Sequence, residues 1–240
     1  MKLSIIIPVF NEEKTIDKIL AKLIVLSFKN VQKEIIIIDD GSLDKTSSIV
    51  ESFISKNKKE NLIFLRHKVN LGKGAAVRTG IDKATGDYII IQDADLEYDP
   101  QFISLLLKPI LEKRAQVVYG TRLQRLPNLK HEERRLGFLL HYFGNRFLSL
   151  ATSVLYGQWL TDMETCYKLF PKNALDKIKL NSKRFDFEPE ITAKLLKRGY
   201  KILEIPISTN PRGYEEGKKI SALKDGPVAL LTLIKYRFVD

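Results

Sequence analysis

Asp93-Ala94-Asp95 and Glu97 put three carboxylates on a short stretch directly after the apolar run Tyr88–Ile91. Two acidic side chains one residue apart, where a strand breaks into a loop, can both turn toward one hard cation. Mg²⁺ or Mn²⁺ would use such oxygens and keep positions free for substrate phosphates. A solvated acidic turn is the plain alternative, since an isolated DxD often arises by chance; the strand-like run in front of it favours the metal. Asp39-Asp40 closes another apolar run, Glu34–Ile38. A carboxylate there can accept hydrogen bonds from a ribose or a base, and Asp40, Ser42 or Asp44 can each cap the next helix. Both roles are expected together, with Asp39 on the nucleotide. Pro8, Phe10 and Glu12 follow the first run; a ring beside a cleft can stack on a base, yet is more often core. Gly72-Lys73-Gly74 lacks the GxxxxGK[ST] spacing and reads as a tight turn into a helix, with Lys73 near a bound nucleotide at best.

Other chemistries find little support. His131 and His141 lie ten apart and His67 is remote, so no histidine pair has ligand spacing. The single cysteine, Cys166, excludes an internal disulfide and suits a reducing cytoplasm. No dinucleotide fingerprint and no nucleophile-elbow motif is present, which sets NAD or FAD chemistry aside.

The elements that must position these residues alternate regularly through the first half. Strand-like runs at Leu3–Val9, Glu34–Ile38, Leu62–Leu65, Asp87–Gln92 and Gln116–Tyr119 are separated by helical patterns, among them Asp44–Lys56 and Gln101–Lys113. Near-continuous β-branched runs between amphipathic helices indicate parallel strands covered on both faces. The expected fold class is therefore α/β, a Rossmann-like domain with a mostly parallel central sheet flanked by helices. Ligands of such sheets bind beyond the carboxyl ends of the strands, and Asn11-Glu12, Asp39-Asp40, Asp93-Ala94-Asp95 and Arg122 each follow a strand. Further on, Arg134–Leu155 reads as a helix rich in aromatic and basic residues, Cys166–Phe170 as a short strand, Glu190–Lys197 as a helix, and Lys201–Ile207 as a final strand. Pro211–Lys219 is a loop, and Ala222–Phe238 is amphipathic with a basic end.

The net charge of +11 is unevenly placed. Lys108–Arg146 holds nine Lys and Arg against three acids, and Lys194–Asp240 ten against five, so these two stretches carry the whole imbalance. Two basic regions on a neutral body suit a surface facing phosphates, whether of nucleic acid or of anionic lipid. A nucleic-acid-binding module would leave the carboxylates at four strand ends unexplained, since they repel phosphates unless a cation intervenes. No apolar run approaches the length of a membrane span and nothing resembles a signal peptide, so any membrane contact is expected to be peripheral.

The combination resembles the family 2 glycosyltransferases of the GT-A fold, and within them the dolichyl- or polyprenyl-phosphate mannosyl- and glucosyltransferases. The matching stretches are IIIPVFNEE (Ile5–Glu13), IIIIDDGSLDKT (Ile35–Thr46), NLGKGAAVRTG (Asn70–Gly80), QDADLEYDP (Gln92–Pro100), GTR (Gly120–Arg122), DMETCYKLF (Asp162–Phe170) and RGYEEGKK (Arg212–Lys219). The resemblance implies a catalytic domain over residues 1–221, its first 122 residues binding the nucleotide sugar and the rest the acceptor, followed by an amphipathic basic segment, 222–240. It implies that Pro8, Phe10, Glu12 and Asp39 border the nucleotide, that Asp93 lies near the donor, and that Asp95 and Glu97 ligate Mg²⁺ or Mn²⁺. Glu97 stands where many relatives carry Gln. Arg122, one of Arg134 and Arg135, Arg212, and Lys218 or Lys219 would hold phosphates of donor and lipid acceptor.

The expected reaction is inverting transfer of a hexose, with GDP-mannose the first choice of donor and UDP-glucose the second, onto a polyprenyl or dolichyl phosphate at the cytoplasmic membrane face. A lipid phosphate is already anionic and needs no strong base, whereas a saccharide hydroxyl, the alternative acceptor, would need a carboxylate base. Asp162 and Glu164 are the candidates, with structural hydrogen bonding as the competing reading. The stretches Arg134–Tyr156 and Ala222–Arg237 read as interfacial helices, with Phe138, Leu139, Phe143, Phe147 and Leu150 toward lipid; packing on the sheet or in a homo-oligomer is the alternative. Relatives often carry membrane helices, so this chain would bind peripherally or through a membrane-anchored partner. Nucleotidyl transfer to a sugar phosphate remains open as a further reading.

Overall fold

The computed structural model describes residues 1–123, 136–210 and 222–239. Strand β1 (Lys2–Val9) sits centrally, paired in parallel with β2 (Gln32–Asp39) on one side and β4 (Tyr88–Ile91) on the other. Ile5, Ile6 and Ile7 stand opposite Ile35, Ile36 and Ile37, and all six are buried. Such β-branched stacking on a sheet covered on both faces explains why these runs do not alternate with polar residues. With β3 (Leu62–Arg66), β5 (Val117–Thr121), β6 (Lys168–Pro171) and β7 (Ile202–Pro206), the sheet runs β3-β2-β1-β4-β6-β5-β7. Only β6 is antiparallel to its neighbours. The expected α/β class and mostly parallel sheet are both present.

The helices α1 (Ile16–Val25), α2 (Thr46–Lys56), α3 (Lys73–Lys83) and α4 (Phe102–Leu111) connect the strands of the first half. α1 buries Ile16, Ile19, Leu20 and Leu23, the face its periodicity predicts. α5 (Leu136–Tyr156), α6 (Phe187–Lys197) and α7 (Ala222–Phe238) follow. α6 begins three residues before the expected Glu190. Pro189 falls in its first turn, where a backbone N–H has no helical partner to lose, and Glu188 and Glu190 there suit the helix dipole. α7 packs on α5 and α6 around Leu148, Met163, Ala193, Ala229, Leu233 and Tyr236. Among the described residues, no helix is long and apolar enough to cross a membrane.

Candidate active site

β1, β2, β4 and β5 all run the same way, so the residues that follow them meet at one edge. A cavity of about 990 Å³ opens there. Pro8, Phe10 and Glu12 line it after β1, Asp40 after β2, Asp93, Asp95, Glu97 and Tyr98 after β4, and Arg122 after β5. α3 contributes Lys73, the segment before β6 contributes Glu164 and Cys166, and α6 contributes Glu188. Phe138, Tyr142 and Asn145 of α5 and Pro227 and Leu230 of α7 form the opposite wall. Two residues beside strand ends hold a left-handed backbone without being glycine, Asn11 (φ 51°) and Leu96 (φ 65°). Strain of this kind persists where the surrounding structure enforces it, often at functional loops.

Lys73 reaches this edge because α3 starts hard against the loop that precedes α6. Gly72 has φ 98°, and a Cβ on it would strike the Lys183 carbonyl; one on Gly74 would lie 2.8 Å from the Ser182 carbonyl. This close approach sets Lys73 Nζ 2.9 Å from both Asp93 Oδ1 and Glu188 Oε1. Burial pushes the Lys73 ammonium down, but Asp93 and Glu188 outweigh it and hold its pKa well above the ordinary value. Burial likewise raises the Asp93 carboxyl, and Lys73 brings it below the usual range. The pair is therefore ionised throughout the physiological range.

Asp39 and Asp40 have separate duties. Successive strand residues point to opposite sides, and Asp39, the last residue of β2, is fully buried: it accepts from Ser42 N at 2.8 Å and from the Ser47 hydroxyl, with Arg66 Nε at 3.5 Å. It does not line the cavity; Asp40 does. Asp40 accepts from Leu71 N (3.0 Å) and Gly72 N (2.7 Å) and pairs with His67 Nδ1 at 2.7 Å. His67 Nε2 lies 2.9 Å from Thr79 Oγ1. Of the expected caps, Asp44 Oδ1 accepts from Thr46 N at 2.9 Å, whereas Ser42 Oγ accepts from Asn11 N.

Arg122 is held rather than free. Its Nε and Nη2 donate to the two oxygens of Asp162 at 2.7 and 2.8 Å, its backbone N–H donates to Asp162 Oδ2 at 2.9 Å, and the guanidinium lies 5.7 Å from the Tyr98 ring centre. Asp162 is itself fully buried, and Glu204 of β7 accepts from its backbone N–H at 2.9 Å. Burial opposes ionisation of both partners, and their mutual attraction overrides it, lowering Asp162 and raising Arg122.

Glu164 behaves differently. Burial, then the nearby Glu188, push its carboxyl up to about 8 from 4.5. Lys168, fully buried with Nζ donating to Met163 O at 2.8 Å and to Thr165 O, is lowered by burial to about 8. Between pH 4.5 and about 8 the unfolded chain releases the Glu164 proton while the folded chain keeps it, so stability falls as pH rises through that window. Glu164→Gln removes this cost. At about pH 7.5 thermal melts are expected to show the variant about 5 °C above the parent, with the gap closing below about pH 4.5. An equal offset at both pH values would refute the assignment.

Of the residues the sequence singled out, Pro8, Phe10, Glu12, Lys73, Asp93, Asp95, Glu97, Arg122 and Glu164 share this one cavity. Arg134, Arg135, Arg212, Lys218 and Lys219 lie outside the described residues. Asp95 Oδ1 accepts from Glu97 N at 3.1 Å. Among the described residues, no three His, Cys, Asp or Glu side chains converge as a ready-made metal cage. The acidic oxygens on the cavity wall nonetheless form a hard donor set suited to Mg²⁺ or Mn²⁺, which keeps several positions for water and phosphate. Sequence reasoning missed His67, Lys168 and Glu188. The first was legible in principle, because parallel pairing of Asp39 with Arg66 makes Asp40 and His67 neighbours.

The model of the family described as glycosyl transferase family 2 matches residues 4–179. The chain is 31% identical over 220 residues to the UDP-N-acetylglucosamine–dolichyl-phosphate N-acetylglucosaminyltransferase of Methanococcus voltae, covering 85% of this chain and 84% of that one. It is 33% identical over 210 residues to the protein MJ1222 of Methanocaldococcus jannaschii, covering 85% and 80%. The fold matches that of glucosyl-3-phosphoglycerate synthase from Mycobacterium tuberculosis in complex with UDP, with a TM-score of 0.73, 18% identity, and coverage of 100% of this chain and 81% of that one. The architecture is thus that of the GT-A fold.

Proposed function

Because the chain belongs to glycosyl transferase family 2, we propose that it transfers a hexose, with inversion, from a nucleoside-diphosphate donor to the phosphate of a polyprenyl or dolichyl lipid. The observation that carries the choice of acceptor is the state of the two acids that the sequence offers as a base. Asp162 is buried with both oxygens committed to Arg122, and Glu164 keeps its proton up to about pH 8. Asp162 is thereby unsuited to take a proton from a saccharide hydroxyl, and Glu164, protonated for the most part at neutral pH, offers only a small basic fraction. An acceptor phosphate is already ionised and needs no such help. The Methanococcus voltae relative, named for a dolichyl-phosphate acceptor, supports the same reading and favours a UDP-linked donor over GDP-mannose.

In this reading Pro8, Phe10, Glu12 and Asp40 border the nucleotide, with Asp39 setting the end of β2 beside them. Asp95 and Glu97, next to Asp93, would hold Mg²⁺ or Mn²⁺, which when bound supplies positive charge to the departing diphosphate. Arg122, fixed by Asp162, adds positive potential that costs no reorganisation during the reaction. Lys73 keeps Asp93 ionised and oriented. With Arg122, one of Arg134 and Arg135, Arg212, and Lys218 or Lys219 would hold the phosphates of donor and acceptor.

The apolar sides of α5 and α7 support work at a membrane surface. Phe143 and Phe147 are 58% and 57% exposed, and Leu231 and Phe238 65% and 80%, on two helices that pack together. Phe138 and Phe147 also line the cavity, so of these α5 rings Phe143 lies clear of it. Incubating the protein with radiolabelled UDP-glucose, UDP-N-acetylglucosamine or GDP-mannose, polyprenyl phosphate and Mn²⁺ is expected to give label extractable into organic solvent, and EDTA to abolish it. Flotation with anionic vesicles tests the surface separately. Product with saccharide acceptors alone would sink the lipid reading, and release of pyrophosphate would indicate nucleotidyl transfer instead.

A further inference from the structure

Three side-chain oxygens in the cavity wall have no hydrogen-bond partner among the described residues. Glu188, 4% exposed, gives Oε1 to Lys73 and leaves Oε2 without a partner. Glu164 Oε1, reaching the cavity from the segment before β6, is buried and unsatisfied as well. Asn145 of α5 donates through Nδ2 to Asp162 Oδ1 at 3.0 Å, yet its Oδ1 accepts nothing. Folded proteins satisfy nearly all buried polar atoms, and each exception asks for a reason. Two more unsatisfied side-chain atoms occur among the described residues, Arg78 Nε and Thr165 Oγ1, and neither residue lines the cavity.

The chemistry of the missing ligand follows from the kind of atom left over. Glu188 Oε2 and Asn145 Oδ1 are acceptors and a protonated Glu164 can accept as well as donate, so the ligand must bring donors. A phosphate brings none and would be repelled by Glu188. An ammonium group would meet Lys73, Lys168 and Arg122 in the same neighbourhood. A ring bearing several hydroxyls satisfies the requirement without a charge. Its position is also constrained, because Lys73 joins Glu188 to Asp93, the first carboxylate after β4.

We propose that Glu164, Glu188 and Asn145 form the sugar-binding end of the cavity and accept hydrogen bonds from ring hydroxyls of the hexose being transferred. This rests on the nucleotide-sugar reading above and adds to it the residues that select the sugar. A protonated Glu164 both accepts and donates, so glutamine can replace it while an apolar side chain of similar length cannot.

Calorimetric titration with UDP, GDP, UDP-glucose, UDP-N-acetylglucosamine and GDP-mannose tests the assignment. The parent is expected to bind one nucleotide sugar about tenfold more tightly than the matching nucleoside diphosphate. Glu164→Met and Asn145→Leu are each expected to remove most of that advantage while leaving nucleoside diphosphate affinity within about twofold; Glu164→Gln should retain it. Unchanged sugar-dependent affinity in Glu164→Met and Asn145→Leu overturns the proposal. A parent that binds a nucleoside diphosphate but gains nothing from the attached sugar overturns this inference alone. A parent that binds neither class overturns the donor reading, and the sugar site with it.

Discussion

Asp95→Ala is expected to lower kcat/KM for glycosyl transfer by about a thousandfold or more, a loss of roughly 4 kcal/mol of transition-state stabilisation. The size follows from what the departing diphosphate needs: charge builds on it as the sugar leaves, and the Asp95 carboxylate helps hold the cation that offsets this charge. The fold should survive the change. Asp95 is only partly buried at the cavity wall, and its hydrogen bond from Glu97 N closes a local turn. A melting temperature within about 2 °C of the parent, together with loss of the Mn²⁺-dependent part of the shift produced by nucleotide, would separate catalysis from stability. Asp93→Ala makes an informative contrast, since it also strips Lys73 of one of its two carboxylate partners. It should lose both activity and stability. If Asp95→Ala turns over at the parental rate, the cation does not sit on this loop.

The sheet and its polar edge were readable because two simple signals coincide. Isoleucine runs such as Ile35–Ile38 announce strands buried on both faces, and acidic pairs placed just after them mark where those strands end. Parallel order then forces the ends together, which is why Asp93, Asp95, Arg122 and Glu12 share a cavity despite their separation in the chain. What was not readable depends on packing between distant segments. Lys73 finds Glu188 only because Gly72 and Gly74 let α3 press against residues 182–184, and no local pattern reports that approach. Glu188 lies just before the expected helix start at Glu190 and falls in the first turn of the helix that forms. Placing Asp39 on the nucleotide rests on its position at a strand end and on resemblance; strand alternation turns its side chain inward and leaves Asp40 on the cavity. The direction of β6 was equally beyond a four-residue run, whose side-chain pattern is the same read either way.

Asp162→Ala is expected to cost about 3–5 kcal/mol, lowering the melting temperature by roughly 6–15 °C for a chain of this size. Few side chains here carry as many obligations: two guanidinium contacts at 2.7 and 2.8 Å, the Arg122 backbone N–H at 2.9 Å and Asn145 Nδ2 at 3.0 Å. Alanine would strand a mostly buried positive charge and two amide donors, and the penalty lies in what is left behind more than in the bond itself. Asp162→Asn keeps the shape and one acceptor, so a loss of about half that size is expected. The pH dependence gives a second signature. Arg122 holds the folded-state Asp162 pKa below its ordinary value of 3.8, so the stability it brings is full above that value and is lost as pH falls through the lower folded one. The gap between parent and Asp162→Ala should therefore be widest near neutrality and shrink below about pH 4. Activity should fall as well, because an Arg122 freed from Asp162 no longer presents a fixed charge to the diphosphate. A variant melting within about 2 °C of the parent at neutral pH would mean that solvent or another side chain replaces the carboxylate, and that Arg122 does not depend on Asp162 for its position.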